Sequence, residues 1–242
     1  MKARTYLDHL RRDGDALAAA AATDLTAPVP SCPGWDVAEL VRHTSEVHRH
    51  KAAVIRSDGA AWDRRERGPE DRAEVLGWYR AGLDDLCELF ATTDENSPAR
   101  TWGTGDTVAW WIRRMAQETA VHRWDAENAV GRGGAIDAAL ASDGIEEFLG
   151  EFIPGEAIPY EGPAGTVHLH CTDVDGEWTV TLRPGTVPTY ETGHSKGDAA
   201  VRGPAHDLLL FVWRRVGRDA VEVLGDGALV DALWAYLRGP GQ

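Results

Sequence analysis

The chain has 242 residues, 43% of them apolar, with 25 Lys and Arg against 39 Asp and Glu, a formal charge of −14. That length suffices for one large domain or two small ones, and the acidic balance disfavours nucleic acid and anionic membranes, which need basic patches. No apolar run approaches the roughly 20 residues that span a bilayer.

Residues 3–23 have helical periodicity in Tyr6, Leu10, Leu17 and a run of alanines, weakened in the middle by Gly14. "APVPSCPGW" then reads as a Pro-rich loop, and Asp36 with Glu39 forms a capping-box start for a second helix over about 36–55. A third helix follows a Pro at its start and runs to about 92. The fourth covers about 106–129 and ends before "GRGG". Four long helices with apolar stripes imply a four-helix bundle over residues 1 to about 132.

Composition changes afterwards. "AIDAALASDGIEEFLGEFI" is one more helix, followed by the Pro- and Gly-rich "PGEAIPYEGPAG". "TVHLHCTD" and "EWTVTLRP" alternate with period two around "VDG", a hairpin signal. "AAVRG" and "VEVLG" read as further short strands, and "PAHDLLLFVWRRV" and "GALVDALWAYLRG" as helices. The fold class is therefore α+β. The expected division is a helical domain over 1–155, with the extra helix grouped with the bundle, and a smaller α+β domain over 156–242.

The fourth helix raises a chemical question. Val108, Trp111, Met115, Glu118 and His122 lie three or four residues apart and share one face. The first three want a core. The last two are a carboxylate and an imidazole, and an unpaired ion in an apolar interior costs several kcal/mol, roughly. The second helix offers partners in "ELVRHTSEVHRH": His43 shares a stripe with Leu40 and Val47, His48 lies on the neighbouring stripe with Val41 and Thr44, and His50 falls off both and is expected in solvent. Two inward-facing stripes bring His43 opposite Glu118 and His122. Imidazoles and a carboxylate converging inside a bundle make a divalent-metal site, and three protein ligands leave coordination open for water or substrate. His48 is the reserve ligand. Without a metal, the same residues read as a Glu–His pair on a solvated face and a hydrogen-bonded core histidine.

Two stretches, "VPSCPGWDVAELVRHTSEVHRH" and "QETAVHRWDAENAVG", resemble the actinobacterial mycothiol-dependent maleylpyruvate isomerase family. Pro33, Gly34, Trp35 and His43 match its Pro-Gly-Trp motif and following His, while Glu118, His122 and Asp125 match its E-x-x-x-H with a downstream Asp. The resemblance implies a DinB-like four-helix bundle as the N-terminal domain. It also implies His43, Glu118 and His122 as ligands of a divalent metal, usually zinc, and mycothiol as the thiol cosubstrate for a small electrophile.

The C-terminal part resembles the family's second domain in "VRGPAHDLLLFVWRR" and "VEVLGDGALVDAL". The family's isomerase uses an Arg from this domain near the metal, which makes Arg215 and Arg218 the catalytic candidates. Their plainer explanation is a solvated helix C-terminus favoured by the macrodipole. The implied activity is cis–trans isomerisation through thiolate addition. A mycothiol S-transferase or detoxification enzyme, and a metal-binding protein without catalysis, are the alternatives of the same build, because fold and metal do not select one reaction.

Other candidates carry less. Cys32, Cys87 and Cys171 are odd in number and form neither a C-x-x-C pair nor a disulfide framework. Cys32 in "PSCPGW" has no motif linking it to a base and reads as structural. His168 and His170 share a strand face and could bind a ligand, but a half-exposed strand explains them as well, and they are assigned no role. "MKARTYLDHLRRDGD" lacks the apolar core of a signal peptide, so a soluble, cytoplasmic protein is expected.

Overall fold

The computed structural model describes residues 1–237. The chain divides into two compact units, residues 1–135 and 136–242. The first holds four helices: α1 (Ala3–Ala21), α2 (Val37–Arg56), α3 (Arg72–Thr92) and α4 (Val108–Ala129). No strand interrupts residues 37–56 or 108–129, so the helical reading of this region stands. Helix α1 packs chiefly on α4 and α2 chiefly on α3, with further α1–α3 and α2–α4 contact. Leu10, Leu17, Leu40, Leu83, Leu86, Trp111 and Met115 fill the core.

Local signals set the helix starts. The Asp36 carboxylate accepts from the Glu39 amide at 2.9 Å, as the capping box requires. Asp71 caps α3 in the same way through the Ala73 amide at 2.9 Å. That places the start of α3 at Arg72, three residues beyond the Pro that marked it in the sequence.

A buried ion network ties the bundle's first and last helices. Asp13 of α1 lies 3.6 Å from the Arg123 guanidinium of α4, and both side chains are almost fully buried. Arg123 also donates to Glu127 (2.6 Å), Gly134 O (3.1 Å) and Ala135 O (3.0 Å), fixing the chain as it leaves α4.

The second unit begins earlier than position 156. It contains α5 (Ala138–Glu147), a π-helical turn (Phe148–Phe152), α6 (Ile153–Glu156), five strands, and the helices α7 (Ala205–Val212) and α8 (Gly227–Tyr236). The helix over 138–147 therefore belongs with the sheet and not with the bundle. The reason is packing: α5 lies against α7, the Ser142 hydroxyl donates to Asp175 O at 2.8 Å, and the Ile136 amide donates to His206 Nδ1 at 3.0 Å.

The strands β1 (Gly165–Cys171), β2 (Glu177–Leu182), β3 (Thr189–Thr192), β4 (Ala199–Gly203) and β5 (Glu222–Gly225) form one sheet in the order β3-β2-β1-β4-β5. The β1–β2 pair is the antiparallel hairpin that the alternation indicated, while β1 and β4 run parallel. Strand β3 was not foreseen. One sheet face is apolar, with Val167, Leu169, Trp178, Val180 and Val201 all buried, and α7 and α8 pack on the sheet. The opposite face carries Thr166, His168, His170, Glu177 and Thr179. Helix α8 ends at Tyr236; the last residues of the expected helix, 238 and 239, lie outside the described residues. Among the described residues, no helix is long and apolar enough to cross a membrane.

Removing one partner of a buried ion network leaves the others desolvated and uncompensated. Arg123→Met should therefore lower the unfolding free energy by about 3–5 kcal/mol, measured by urea denaturation.

Candidate metal centre

The α4 stripe is buried where the sequence wanted core, at Val108, Trp111 and Met115, and opens at its C-terminal half. There Glu118 Oε1 lies 3.3 Å from His122 Nε2, on the same helix, and 3.5 Å from His43 Nε2, on α2. The two imidazoles meet edge to face with centroids 5.3 Å apart. One ligand atom from each of the three residues lies within 4.8 Å of the others. A tetrahedral ion bonded at about 2.0–2.2 Å wants neighbouring donors about 3.3 Å apart. The donor set therefore fits a divalent ion in chemistry and spacing. Side-chain exposure rises from 10% at His122 to 17% at Glu118 and 37% at His43, so the cluster opens to solvent on the His43 side.

Each ligand is held from behind. His122 Nδ1 pairs with Asp125 Oδ2 at 3.0 Å, which turns Nε2 toward the cluster. The other Asp125 oxygen accepts from the Ser31 hydroxyl at 2.6 Å. Ser31 is placed by a tight loop in which Val29 N donates to Trp35 O and Trp35 N to Cys32 O, both at 3.0 Å. Gly34 turns this loop at φ +86°, a conformation open to glycine and strained for other residues. The same turn sets the Trp35 ring 4.9 Å from that of His43. The Pro-Gly-Trp motif thus positions one member of the cluster and the support of a second. Arg114, one turn before Glu118, donates to Glu118 Oε2 and leaves Oε1 for the cluster.

These contacts set the charges. Burial alone would raise the Glu118 carboxyl, but Arg114, His122 and His43 together hold it well below the usual carboxylate range. Burial would likewise lower His122, yet Glu118 and Asp125 lift it to about 9.

Two expectations for α2 are corrected. His48 does not join the cluster: its Nε2 pairs with Thr119 Oγ1 at 2.8 Å, and burial pushes it down to about 4, so it is a neutral core histidine. His50 is buried and not solvated, with its Nε2 2.9 Å from Trp62 O.

The arginines sit in the second unit. Helix α7 stops at Val212, Arg214 turns the chain at φ +57°, and neither candidate lies on a helix C-terminus continuous with α7. Arg215 is half-buried and donates to Trp213 O at 3.0 Å. Arg218 opens a short 3₁₀ turn and forms an exposed ion pair with Asp231 at 2.7 Å. All three cysteines are buried and none is in a disulfide, and burial pushes the Cys87 and Cys171 thiols up to about 11 and about 12.

Ser31, Arg114 and Thr119 were not singled out in the sequence. Arg114 was within reach, since it precedes Glu118 by four residues on a face that demanded a counter-charge. Ser31 had no comparable signal, because its partner lies 94 residues away.

The family models settle the kinship. Residues 7–127 match the mycothiol maleylpyruvate isomerase N-terminal domain, and residues 139–232 match the C-terminal domain of the same family. The chain belongs to this family of enzymes. Among solved structures, it is similar to a mycothiol-dependent maleylpyruvate isomerase at 13% identity and a TM-score of 0.64, covering 92% of this chain and 93% of that one. A histidine-to-alanine mutant of a mycothiol-dependent maleylpyruvate isomerase matches at 12% identity, a TM-score of 0.61 and the same coverage. At these identities the likeness is one of fold. No curated protein matches the chain.

Asp125 supports His122 from behind the candidate cluster. Asp125→Asn should weaken divalent-metal binding by about 10–100-fold in a competitive chelator titration, while leaving the three ligands in place. Because His122 holds its proton up to about 9, metal entry at neutral pH must displace it. Calorimetry in buffers of different ionisation enthalpy should show about one proton released per ion at pH 7, with affinity falling as pH falls.

Proposed function

We propose that the chain is a metal-dependent, mycothiol-using isomerase that converts a maleylpyruvate-like cis substrate to its trans isomer. The observation that carries the reading is the convergence of His43 Nε2, Glu118 Oε1 and His122 Nε2 in a family of mycothiol-dependent enzymes. Three ligands from the protein are the catalytic pattern, since they leave a position for a cosubstrate. The N₂O set suits zinc, with nickel and iron as competitors. A divalent ion held there supplies the Lewis acidity that keeps a cosubstrate thiol as thiolate near neutral pH.

The chain's own residues do the rest. Asp125 keeps His122 oriented with Nε2 inward, and Arg114 restricts Glu118 to one inward oxygen. Burial raises the Cys87 and Cys171 thiols, which disfavours either as a thiolate at neutral pH and leaves that role to the cosubstrate the family uses. In the reaction, sulfur forms a bond to one carbon of the cis double bond, and the π electrons move into the conjugated carbonyl. The former double bond is then single and rotates. Expulsion of the same sulfur restores the double bond as trans, so the thiol is regenerated. A guanidinium from Arg215 or Arg218 would hold a substrate carboxylate bidentately.

Mass spectrometry of the reaction with mycothiol and maleylpyruvate should show trans product with the amount of mycothiol unchanged. A stable thiol adduct would instead assign an S-transferase, and no turnover of any electrophile tested would assign a binding protein. His122→Ala should lose the ion of this cluster and activity together. Replacing the substrate-binding arginine by Ala should raise KM with metal content intact, which identifies whether Arg215 or Arg218 performs that role.

A further inference from the structure

The polar face of the second unit's sheet gathers three imidazoles around one carboxylate. His168 and His170 are two apart on β1 and so point the same way, and Glu177 on β2 pairs directly with His170 in the register. The Gly193 amide donates to Glu177 O at 2.8 Å, which brings the chain leaving β3 over the same spot and delivers His194. His168 Nε2 lies 3.2 Å from the Glu177 carboxylate, His170 Nδ1 3.1 Å and His194 Nδ1 2.7 Å. Ligand atoms from all four residues fall within 4.8 Å of one another.

His168 carries the argument. Its residue is only 6% exposed, yet Nε2 makes no hydrogen bond, although the Glu177 carboxylate is close. Its other nitrogen is occupied, with Nδ1 3.1 Å from Thr179 Oγ1. In the tautomer in which the Thr179 hydroxyl accepts from Nδ1–H, the Nε2 lone pair points into the cluster, the arrangement in which metal-binding histidines are held. His170, Glu177 and His194 line a cavity of about 490 Å³ together with Ser142, Glu146 and Asp175, and His168 lies beneath them, buried. The His168–Oε2 and His170–Oε1 separations, 3.2 and 3.1 Å, lie close to the roughly 3.3 Å edge of a tetrahedron around a zinc-sized ion, while His194 Nδ1 pairs with Oε2 at 2.7 Å and would open from it to take up an ion.

We propose that His168, His170, Glu177 and His194 form a second divalent transition-metal site, distinct from the His43–Glu118–His122 cluster and structural in character. Four protein ligands close the coordination shell, whereas three leave the first cluster open. An N₃O set of imidazoles and a carboxylate selects zinc, nickel or copper over magnesium or calcium. The ion would clip the segment after β3 to the β1–β2 hairpin, fastening the sheet's outer strand from its polar side. This site needs nothing from the isomerase reading, and its chemistry holds whatever reaction the first cluster performs.

The test uses the full chain without a polyhistidine tag, stripped of metal and titrated with Zn²⁺ and, separately, Co²⁺. Wild type should bind two equivalents and His122→Ala one. That remaining equivalent should give the visible absorption of tetrahedral Co²⁺ and raise Tm. In the His122→Ala background, His194→Ala or Glu177→Gln should weaken it by about 100-fold or more and abolish the Tm increase. His194 is 82% exposed at its side chain and lies outside the strands, so its loss leaves the fold intact. In an otherwise wild-type chain, His194→Ala should still bind one equivalent through the first cluster. No tight binding by His122→Ala, or binding that survives both added substitutions, would overturn the proposal.

Discussion

The centre of the bundle depends on how Glu118 is neutralised. A carboxylate set into an apolar stripe is tolerated there because Arg114 takes one oxygen from the same helix and two imidazoles face the other. Its charge then lifts His122, whose far nitrogen is anchored by Asp125, and Asp125 is held in turn by Ser31. The chain of contacts runs from the core of α4 out to the loop before α2. Loop geometry and metal-site geometry are therefore one problem, which is why a positive-φ glycine and a Trp ring belong to the site as much as its ligands do.

The two units solve a similar problem with different backbone tools. In the bundle, i,i+4 spacing stacks Glu118 under His122, and a neighbouring helix contributes His43. In the sheet, period-two alternation aligns His168 with His170, and strand register supplies Glu177. A helix brings donors together along its own axis. A sheet brings them together across neighbouring strands, so its cluster falls within residues 168–194, whereas the bundle's joins residues as far apart as 43 and 122.

Most of the helical architecture was legible because periodicity and capping agree with the final packing. The α2 start at Asp36 and the span of α4 came from signals that act within one turn. The three clustered residues were legible because each stood on a stripe where its type was out of place and the family motif falls on the same positions. What failed to show was set by tertiary contact. Strand β3 has four residues and no buried position, so it carries no alternation to read. The allegiance of α5 is decided by Ser142, Ile136 and helix α7, none of which its own periodicity reports. His48 and His50 looked like a reserve ligand and a surface residue until Thr119 and Trp62 O claimed them.

The burial of the cysteines bears on the redox setting in which such a site would operate. Disulfide exchange requires an accessible thiolate, and Cys32, Cys87 and Cys171 all lie inside the protein, two of them with strongly raised pKa values. A chain whose proposed partner is an abundant small thiol is exposed to that thiol's oxidised form as well. With its own sulfurs buried, it resists capture as a mixed disulfide, so an oxidised pool would limit it only through the supply of reduced thiol.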